Sequence, residues 1–394
     1  MIKAVLDQTK GDRWIWIIII LLSIISVLAV YSATGTLAYK RGVDATSLLL
    51  TKHFLYIVLG FVMIYFAHLL DYRYYAGISK VLMVITIPLL VYTLVFGSHV
   101  NDASRWIAIP GTGLTFQTSD LAKLALITYL ARTLTKHQTH IKDFRSTVLW
   151  LLMPMGAVFI LIAYANLSTA MMLAGVGVLI LLIGRVSFKQ ITVVGAGLMI
   201  LLLIVVFLGP RRGVYISRVK SYLHPEMQNS DKTFQQNQAK IAVASGGIFG
   251  KGPGNSTQRN FLPHPYSDFI FAIIVEEYGM FGGFIIILLY VILMYRIIKI
   301  VTQAPKAFGA LLAAGLGFSL TIQALANMAV AVNLFPVTGV PLPLVSMGGT
   351  SILFTSIAFG IILSVSKDIE EHKAQSAQNG NEEKIIVGEI PAMA

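Results

Sequence analysis

The stretch WIWIIIILLSIISVLAVYSA, residues 14–33, runs for twenty residues without a charge, and it decides the fold class. Twenty residues of helix rise about 30 Å, which is the thickness of a membrane's hydrocarbon core. Nine further apolar runs follow it, at 54–70, 81–97, 119–134, 148–165, 167–184, 191–209, 269–298, 308–334 and 345–365. The sequence therefore predicts an all-α integral membrane protein with about ten transmembrane helices.

The composition of the whole chain excludes a soluble globular protein. Hydrophobic residues make up 56% of the 394 residues, charged residues only 12%, and the mean hydropathy is +0.77. Soluble domains carry about 25% charged residues. There are no cysteines, so disulfides and thiol chemistry are excluded. In a membrane protein a net charge of +12 is typical of cytoplasmic loops near anionic lipid, so we expect membrane lipid as a partner and no nucleic acid.

The basic residues predict the orientation of the chain. With the N-terminus in the cytoplasm, 17 Lys and Arg residues fall inside and 4 fall in short outer loops. The long segment 210–267, between helices 7 and 8, holds 8 more; its many glycines favour tight turns, so we expect a structured extracytoplasmic loop resting on the bundle. Residues 1–366 form the predicted membrane domain and 367–394 a mobile cytoplasmic tail, with both termini cytoplasmic.

Carboxylates are rare near the apolar runs; those within them or at their edges are Asp120, Asp268, Glu276 and Glu277. A charge at the bilayer centre costs on the order of 3 kcal/mol, so such residues pair or face a polar interior. Asp120 and Lys123 are three residues apart and can form a salt bridge on one helix face. Thr118 or Ser119 could cap that helix. One of the two glutamates could hold a neighbouring helix.

Asp268 lies where the long loop re-enters the membrane, directly before the apolar run FIFAIIV at 269–275. A partly desolvated carboxylate at such a boundary is suited to work as a general base. The alternative is that Asp268 caps the N-terminus of the eighth helix and interacts with its dipole. Position and residue type leave both interpretations open.

Three groups of motifs resemble one known family. They are ASRWI (103–107) with FQTSDLAK (116–123); RVKSYLHP (218–225), ASGGIFGKG (244–252), SDFIFA (267–272) and EEYG (276–279); and PVTGVPLP (336–343) with SMGGTS (346–351). They follow the order of the SEDS family of peptidoglycan polymerases (shape, elongation, division, sporulation) over nearly the whole chain. Thr118 and Asp120 stand where the family usually has Pro and Glu. Asn166 replaces a family aspartate, so we assign it no chemistry.

The resemblance implies a peptidoglycan glycosyltransferase that joins lipid II units, with undecaprenyl pyrophosphate as the leaving group. It implies Asp268 as the catalytic base that takes the proton of the attacking sugar hydroxyl. The expected substrate-binding residues are Arg105, Lys123, Arg218, Lys251, Gln238 and Ser346. The expected supporting residues are Asp120, Glu276, Glu277, Pro336, Gly339, Pro343, Gly348 and Gly349. Arg211 and Arg212 are further candidates, with attraction to lipid head groups as the alternative.

The resemblance also implies partners: lipid II, the growing glycan strand, a class B penicillin-binding protein (an FtsI-like transpeptidase) and other divisome proteins. We expect the cell inner membrane at the division septum. No metal-ligand cluster is recognisable and no cofactor is indicated, while a divalent cation (Mg or Mn) on the pyrophosphate stays open. The run GKGPG at 250–254 lacks the spacing of a phosphate-binding P-loop.

Alternatives to the division-type enzyme are an elongation-type paralogue, a lipid II flippase or other transporter, and a scaffold that only recruits a partner. A transporter needs polar groups along a path through the bilayer midplane. Asp268 is predicted at the outer edge, which favours chemistry on a substrate that is already outside.

Overall fold

The computed structural model describes residues 10–41, 43–100, 103–109, 114–138, 143–209, 211–223, 231–262 and 265–388. The helices are α1 (Arg13–Arg41), α2 (Val43–Leu69), α3 (Arg73–Phe96), α4 (Thr118–Lys136), α5 (Phe144–Thr147), α6 (Met153–Ala165), α7 (Leu167–Ile183), α8 (Phe188–Leu208), α9 (Arg212–Leu223), α10 (Asp231–Gly246), α11 (Ile270–Gln303), α12 (Ala307–Ala331) and α13 (Gly349–Gly388). A π-helical turn, Val148–Leu152, joins α5 to α6, and a 3-10 turn spans Gln258–Asn260. Three strands, β1 (Ser98–Val100), β2 (Ala103–Ile109) and β3 (Leu114–Gln117), complete the described elements.

A helix occupies each of the ten stretches that the sequence predicted, so the all-α membrane fold is confirmed. Within the described ranges, eight helices are long and apolar enough to cross a membrane. Of the other two, α7 is apolar but has only 17 residues, and α4 is long enough but more polar. The number of spans therefore stays a prediction.

The polarity of α4 is explained by its place in the bundle. Most of its side chains are buried, and it packs against α3, α7 and α12. In the most apolar stretch of each helix, 72% of the residues of α12 and 78% of those of α13 are buried, against only 17% in α8. A helix enclosed by protein can carry polar side chains that lipid would not tolerate, so low hydropathy is compatible with a central position.

The sequence did not predict the small antiparallel sheet between α3 and α4. Its strand order is β1-β2-β3, and β2 pairs with β3 from Trp106 opposite Gln117 to Ile109 opposite Leu114. The sheet is tied to the start of α13, because the backbone N–H of Gln117 donates to Thr350 Oγ1 at 3.2 Å. This sheet carries Arg105 to the functional site described below.

Two contacts mark the opposite ends of the bundle. Asp12 forms an ion pair with Arg296, and Ser32 Oγ donates to the carboxylate of Glu277. These contacts are 20 residues apart along α1 and 19 residues apart along α11, or roughly 30 Å of helix. The distance between them equals about one hydrocarbon thickness. The Ser32–Glu277 end is also the end at which the loop residues 251–260 pack.

The helix α11 breaks at Gly279, where φ is 69° and ψ is −169°. At the break, the backbone N–H groups of Met280 and Phe281 donate to Gly247 O and Ile248 O, so the glycine-rich loop replaces helical partners. Glu276 and Glu277 were expected two turns deep in the eighth span. They lie about two turns after Asp268, as expected, on the short helical segment that ends at the break, and 24 residues of α11 follow Gly279.

The helix α13 continues through Gly388, well past the expected domain boundary at residue 366. The division of the chain into a membrane domain and a tail therefore stays a prediction. Residues 389–394 of that tail lie outside the described residues.

Candidate active site

Asp268 is half-buried at the end of the long loop, held through both its side chain and its backbone. Ser267 Oγ donates to Asp268 Oδ1 at 3.0 Å, and Asn327 Nδ2 of α12 donates to the backbone carbonyl of Asp268 at 2.9 Å. The N-cap of α11 is Phe269, and no side chain caps that helix. Asp268 is therefore not the N-cap residue of α11.

Three arginines lie near this carboxylate or near one another: Arg105 on β2, Arg211 directly before α9 and Arg218 on α9. Arg105 Nε and Arg211 Nη1 both donate to Ala165 O, at 3.0 and 2.8 Å, where α6 ends. Arg218 Nη1, on α9, donates to Val337 O at 3.1 Å. These carbonyls orient the guanidinium groups but carry no net charge to neutralise them. We call Arg105, Arg211 and Arg218 the arginine cluster.

The electrostatics of the cluster favour an anionic ligand. Burial, together with repulsion from Arg211 and Arg218, lowers the pKa of Arg105 to about 10. Burial and the charge of Arg211 lower the pKa of Arg218 as well. Asp268 acts on both groups in the opposite direction but does not reverse either shift. An arginine fork is well matched to phosphate oxygens.

Gly339 keeps open the space between the carboxylate and the cluster. Its φ is +66°, and a Cβ built there would lie 3.5 Å from Asp268 Oδ2 and 3.7 Å from Arg105 Nη1. Any side chain at this position would stand between the base candidate and the cation. The structure thus brings together Asp268, Arg105, Arg218 and Gly339 of the predicted residues.

The irregular segment 332–348 between α12 and α13 forms the floor of the site. It contains the predicted supporting residues Pro336, Pro343 and Gly348, and Gly349 is the first residue of α13. Its backbone carbonyls accept hydrogen bonds from side chains of four helices: Val337 O from Arg218, Val340 O from Asn327, Pro341 O from Gln323, Pro343 O from Tyr290 and Val345 O from Ser26. Irregular backbone at membrane depth is tolerated when protein satisfies it in this way.

Lys123 is engaged away from the arginine cluster. Its ammonium lies 2.7 Å from Asp120 Oδ1, which confirms the predicted salt bridge, and it donates to Gln323 Oε1 at 3.0 Å. Asp120, Lys123 and Gln323 line a cavity of about 30 Å³ between α4, α12 and α13. Because Gln323 Nε2 also donates to Pro341 O, Lys123 is connected to the floor through Gln323. The expected cap of α4 by Thr118 or Ser119 is wrong, since its N-cap is Gln117 and makes no capping bond.

Lys251 belongs to a second polar group, built around Glu276. Its ammonium lies 2.6 Å from the fully buried carboxylate of Glu276, which also accepts from Ser256 and Thr257. The structure thus directs Lys251 to a buried carboxylate that needs a counter-ion, and away from the arginine cluster. Glu277 accepts from Ser32 of α1, which confirms that one glutamate holds a neighbouring helix.

The last two predicted substrate-binding residues also have other surroundings. Ser346 is only 2% exposed, and its hydroxyl donates to Ser267 O at 2.6 Å and accepts from the N–H of Leu342 at 2.8 Å. It therefore positions the residue before Asp268. Gln238 is half-buried on α10, and no hydrogen bond among the described residues connects it to the arginine cluster.

Sequence reasoning assigned no role to the uncharged polar residues that organise the site. Asn327, Gln323, Tyr290 and Ser26 lie inside apolar helices, yet each donates to the floor. The available signal was the cost of burying such groups in a span, which applies to amides and hydroxyls as well as to carboxylates. Within the described ranges, no group of three His, Asp or Glu side chains could hold a metal ion.

Comparison with known proteins agrees with this architecture. Residues 12–371 match the FtsW, RodA and SpoVE family, described as cell cycle proteins. This chain belongs to that family. A Trichlorobacter lovleyi protein named probable peptidoglycan glycosyltransferase FtsW is 32% identical over 363 residues, covering 91% of this chain and 94% of its own length. Stage V sporulation protein E of Bacillus subtilis is 34% identical over 365 residues, covering 91% and 98%.

Solved structures of family members have the same fold. One is described as "Structural coordination of polymerization and crosslinking by a peptidoglycan synthase complex"; its matching chain superposes with a TM-score of 0.73 at 24% identity, covering 91% of this chain and 98% of its own. The rod shape determining protein RodA of Thermus thermophilus superposes with a TM-score of 0.65 at 23% identity, covering 91% and 97%. At these identities the structures show the fold and no more.

Proposed function

We propose that this chain is a peptidoglycan glycosyltransferase that polymerises lipid II into glycan strands, with Asp268 as general base. The name of the 32% identical Trichlorobacter lovleyi relative supports the FtsW-type, division-linked member of the family. The observation that carries the proposal is the placement of one carboxylate, Asp268, beside the arginine cluster, with Gly339 leaving room between them. A glycosyl transfer from a pyrophosphate needs these two kinds of group next to one another.

The proposed reaction divides the work between the carboxylate and the cations. Asp268 accepts the proton of the sugar 4-hydroxyl while the hydroxyl oxygen forms a bond to the anomeric carbon of the second lipid II. The bond from that carbon to the pyrophosphate oxygen breaks, and the leaving group takes the electron pair. Arg105 and Arg218 then offset the charge that develops on the pyrophosphate. Ala165 O and Val337 O hold both guanidinium groups in place before the substrate arrives.

The decisive experiment measures glycan strands made from lipid II by the purified protein with its cognate class B penicillin-binding protein. We expect wild type to polymerise and both Asp268→Ala and Asp268→Asn to lose at least about a hundredfold in rate, the scale of a lost general base. The asparagine variant keeps the shape of the side chain, so an equal melting temperature in detergent shows that the fold is intact. Polymerisation at the wild-type rate by either variant would refute the base assignment.

The same preparation separates the enzyme from a transporter. If wild-type protein makes no polymer but moves labelled lipid II across the membrane of a vesicle, the proposal fails and transport replaces it. If it does neither, and a class B penicillin-binding protein binds it tightly, the scaffold function remains.

The proposed setting is the division septum of the inner membrane, with a class B penicillin-binding protein as membrane partner. A fluorescent fusion of the full chain expressed in its own host is expected to concentrate at mid-cell during constriction. An even distribution along the cell cylinder would favour the elongation-type role of RodA, and would leave the polymerase assay unaffected.

A further inference from the structure

Leu344 has a backbone conformation that its side chain does not favour. Among the described non-glycine residues, positive φ occurs at Arg185, Asn333 and Leu344. Arg185 and Asn333 each follow the C-cap residue of a helix, α7 and α12, where one left-handed residue commonly terminates a helix. Leu344 differs, because it lies within the irregular floor segment, has a φ of 60° and is 5% exposed. A bulky residue stays left-handed only when its surroundings impose it.

The carbonyl groups on both sides of Leu344 are held by buried side chains. Tyr290 of α11, which is fully buried, donates its hydroxyl to Pro343 O. Ser26 of α1, also fully buried, donates its hydroxyl to Val345 O at 2.8 Å. The two peptide groups that define the turn are thus fixed by two different helices, which is the kind of constraint a left-handed leucine requires.

A histidine sets the direction of the second contact. His53 of α2 is completely buried, and its Nε2 lies 2.8 Å from Ser26 Oγ. A hydroxyl has one proton, and Ser26 gives it to Val345 O. His53 Nε2 must therefore be the donor to Ser26, which places the ring proton on Nε2. Because Ser26 accepts this bond from His53, its own proton is available for the bond to Val345 O.

The two residues that soon follow Leu344, Ser346 and Met347, form hydrogen bonds with the residues before Asp268. Ser346 donates to Ser267 O at 2.6 Å, and the N–H of Met347 donates to Tyr266 O at 2.9 Å. If Leu344 relaxed to a negative φ, both donors would swing away from this loop. The carboxylate would then keep the contact with Ser267 Oγ but lose the support of its backbone on this side.

We propose that Tyr290, Ser26 and His53 are positioning residues that hold Leu344 in a left-handed turn and thereby set the placement of Asp268. This inference rests on the proposed role of Asp268 as the base. It gives a function to buried polar groups, in three different helices, that do not touch the substrate space. It also predicts that Leu344→Gly rescues variants of these three residues, because glycine adopts a left-handed conformation without being held in it.

The experiment combines the anchor variant Tyr290→Phe with glycine or alanine at Leu344. Tyr290→Phe keeps the buried ring and removes only the hydroxyl; we expect kcat for polymerisation to fall about tenfold, the factor that corresponds to a left-handed penalty, with KM for lipid II within about twofold. Adding Leu344→Gly should restore kcat to within about threefold of Leu344→Gly alone. Adding Leu344→Ala should not, because alanine removes the same packing but keeps the left-handed penalty.

A second anchor and a second readout keep the test decisive. Ser26→Ala should show the same rescue by glycine and not by alanine. Hydrogen–deuterium exchange of the peptide containing 342–347 should be faster in each anchor variant and return to normal only with glycine. This readout does not depend on catalysis, so it tests the turn even if the protein proves not to be a polymerase. Equal rescue by glycine and alanine, or unchanged exchange in both anchor variants, would overturn the proposal.

Discussion

Arg105 loses solvent and gains two cationic neighbours when the chain folds, and together these changes lower its pKa to about 10. The charged guanidinium therefore costs stability at neutral pH, and this cost is removed only as the pH rises through about 10. A bound anion would offset this cost already at neutral pH. At the scale of single residues, burial and mutual repulsion in the arginine cluster favour the binding of an anion.

The first prediction concerns the alkaline side of the pH–rate profile. Wild-type polymerisation should decline as the pH approaches 10, because Arg105 then loses the charge that faces the pyrophosphate. In Arg105→Lys the decline should begin closer to neutral pH, since a lysine starts about two units below an arginine. The profile is measured as kcat/KM at subsaturating lipid II, because this ratio reports the pKa values of the ligand-free enzyme. An alkaline limb at the same pH in both proteins would show that Arg105 does not contribute the titrating charge.

A second prediction concerns Gly339. Gly339→Ala should lose polymerisation beyond what its loss of stability explains, because the new methyl enters the space between Asp268 and Arg105. The matched control is Gly247→Ala, which has φ of +55° but no atom within 4 Å of the added Cβ. Both should cost about 1 kcal/mol for the left-handed alanine, read as melting temperature. Only the control should stay active, and equal activities would remove the special role of Gly339.

At the scale of elements, the glycine-rich loop and the break in α11 form one structure. Gly250 lies so close to this helix that a Cβ would be 2.1 Å from Glu277 O, and the N–H groups of Lys251 and Gly252 donate to Glu276 O and Glu277 O. The loop therefore satisfies carbonyls that the break at Gly279 deprives of helical partners. Breaking this contact should release both the loop and the short helical segment that follows Asp268.

The third prediction compares two glycines of this loop. Gly250→Ala should lower the melting temperature much more than Gly254→Ala, although both have a positive φ, of +83° and +79°. The difference isolates the clash with α11, because the Cβ at Gly254 meets no atom within 4 Å. Thermal unfolding in detergent provides the comparison. Similar melting temperatures would show that the loop does not depend on its close approach to the helix.

The elements themselves were predicted unevenly from the sequence. Every strongly apolar run became a helix, because the cost of burying backbone groups in lipid leaves little choice. The sheet between α3 and α4 was missed, since its short strands lie in a segment that read only as an outer loop. The break at Gly279 was missed as well, because one glycine in an apolar run carries little signal until the loop that packs on it is known.

At the scale of the whole molecule, the site and the ion pair of Asp12 with Arg296 lie toward opposite ends of the bundle. The distribution of basic residues predicts that the Asp12 end faces the cytoplasm. A substrate presented at the outer surface would then meet the arginine cluster without crossing the bilayer. This arrangement is what distinguishes polymerisation outside the cell from transport through the protein.

The fourth prediction tests this orientation. The chain has no cysteine, so single cysteines can be introduced without background. Asn260→Cys, exposed in the loop at the Ser32–Glu277 end of the bundle, should react with a membrane-impermeant maleimide in intact cells freed of their outer layers. Ala374→Cys, exposed on α13, should react only after permeabilisation. The reverse pattern would invert the topology and place the arginine cluster in the cytoplasm.

The sequence by itself determined that this protein lies in a membrane, where its apolar helices are and which carboxylate is the best candidate for a base. These depend on hydropathy and on local motifs, which are properties of neighbouring residues. Only the tertiary structure decided which cations accompany Asp268. Lys123 and Lys251 looked equivalent to Arg105 and Arg218 along the chain, yet each lysine is bound by a buried carboxylate, because a charge taken out of water requires a partner. That choice depends on contacts between residues far apart in sequence, and no local pattern records it.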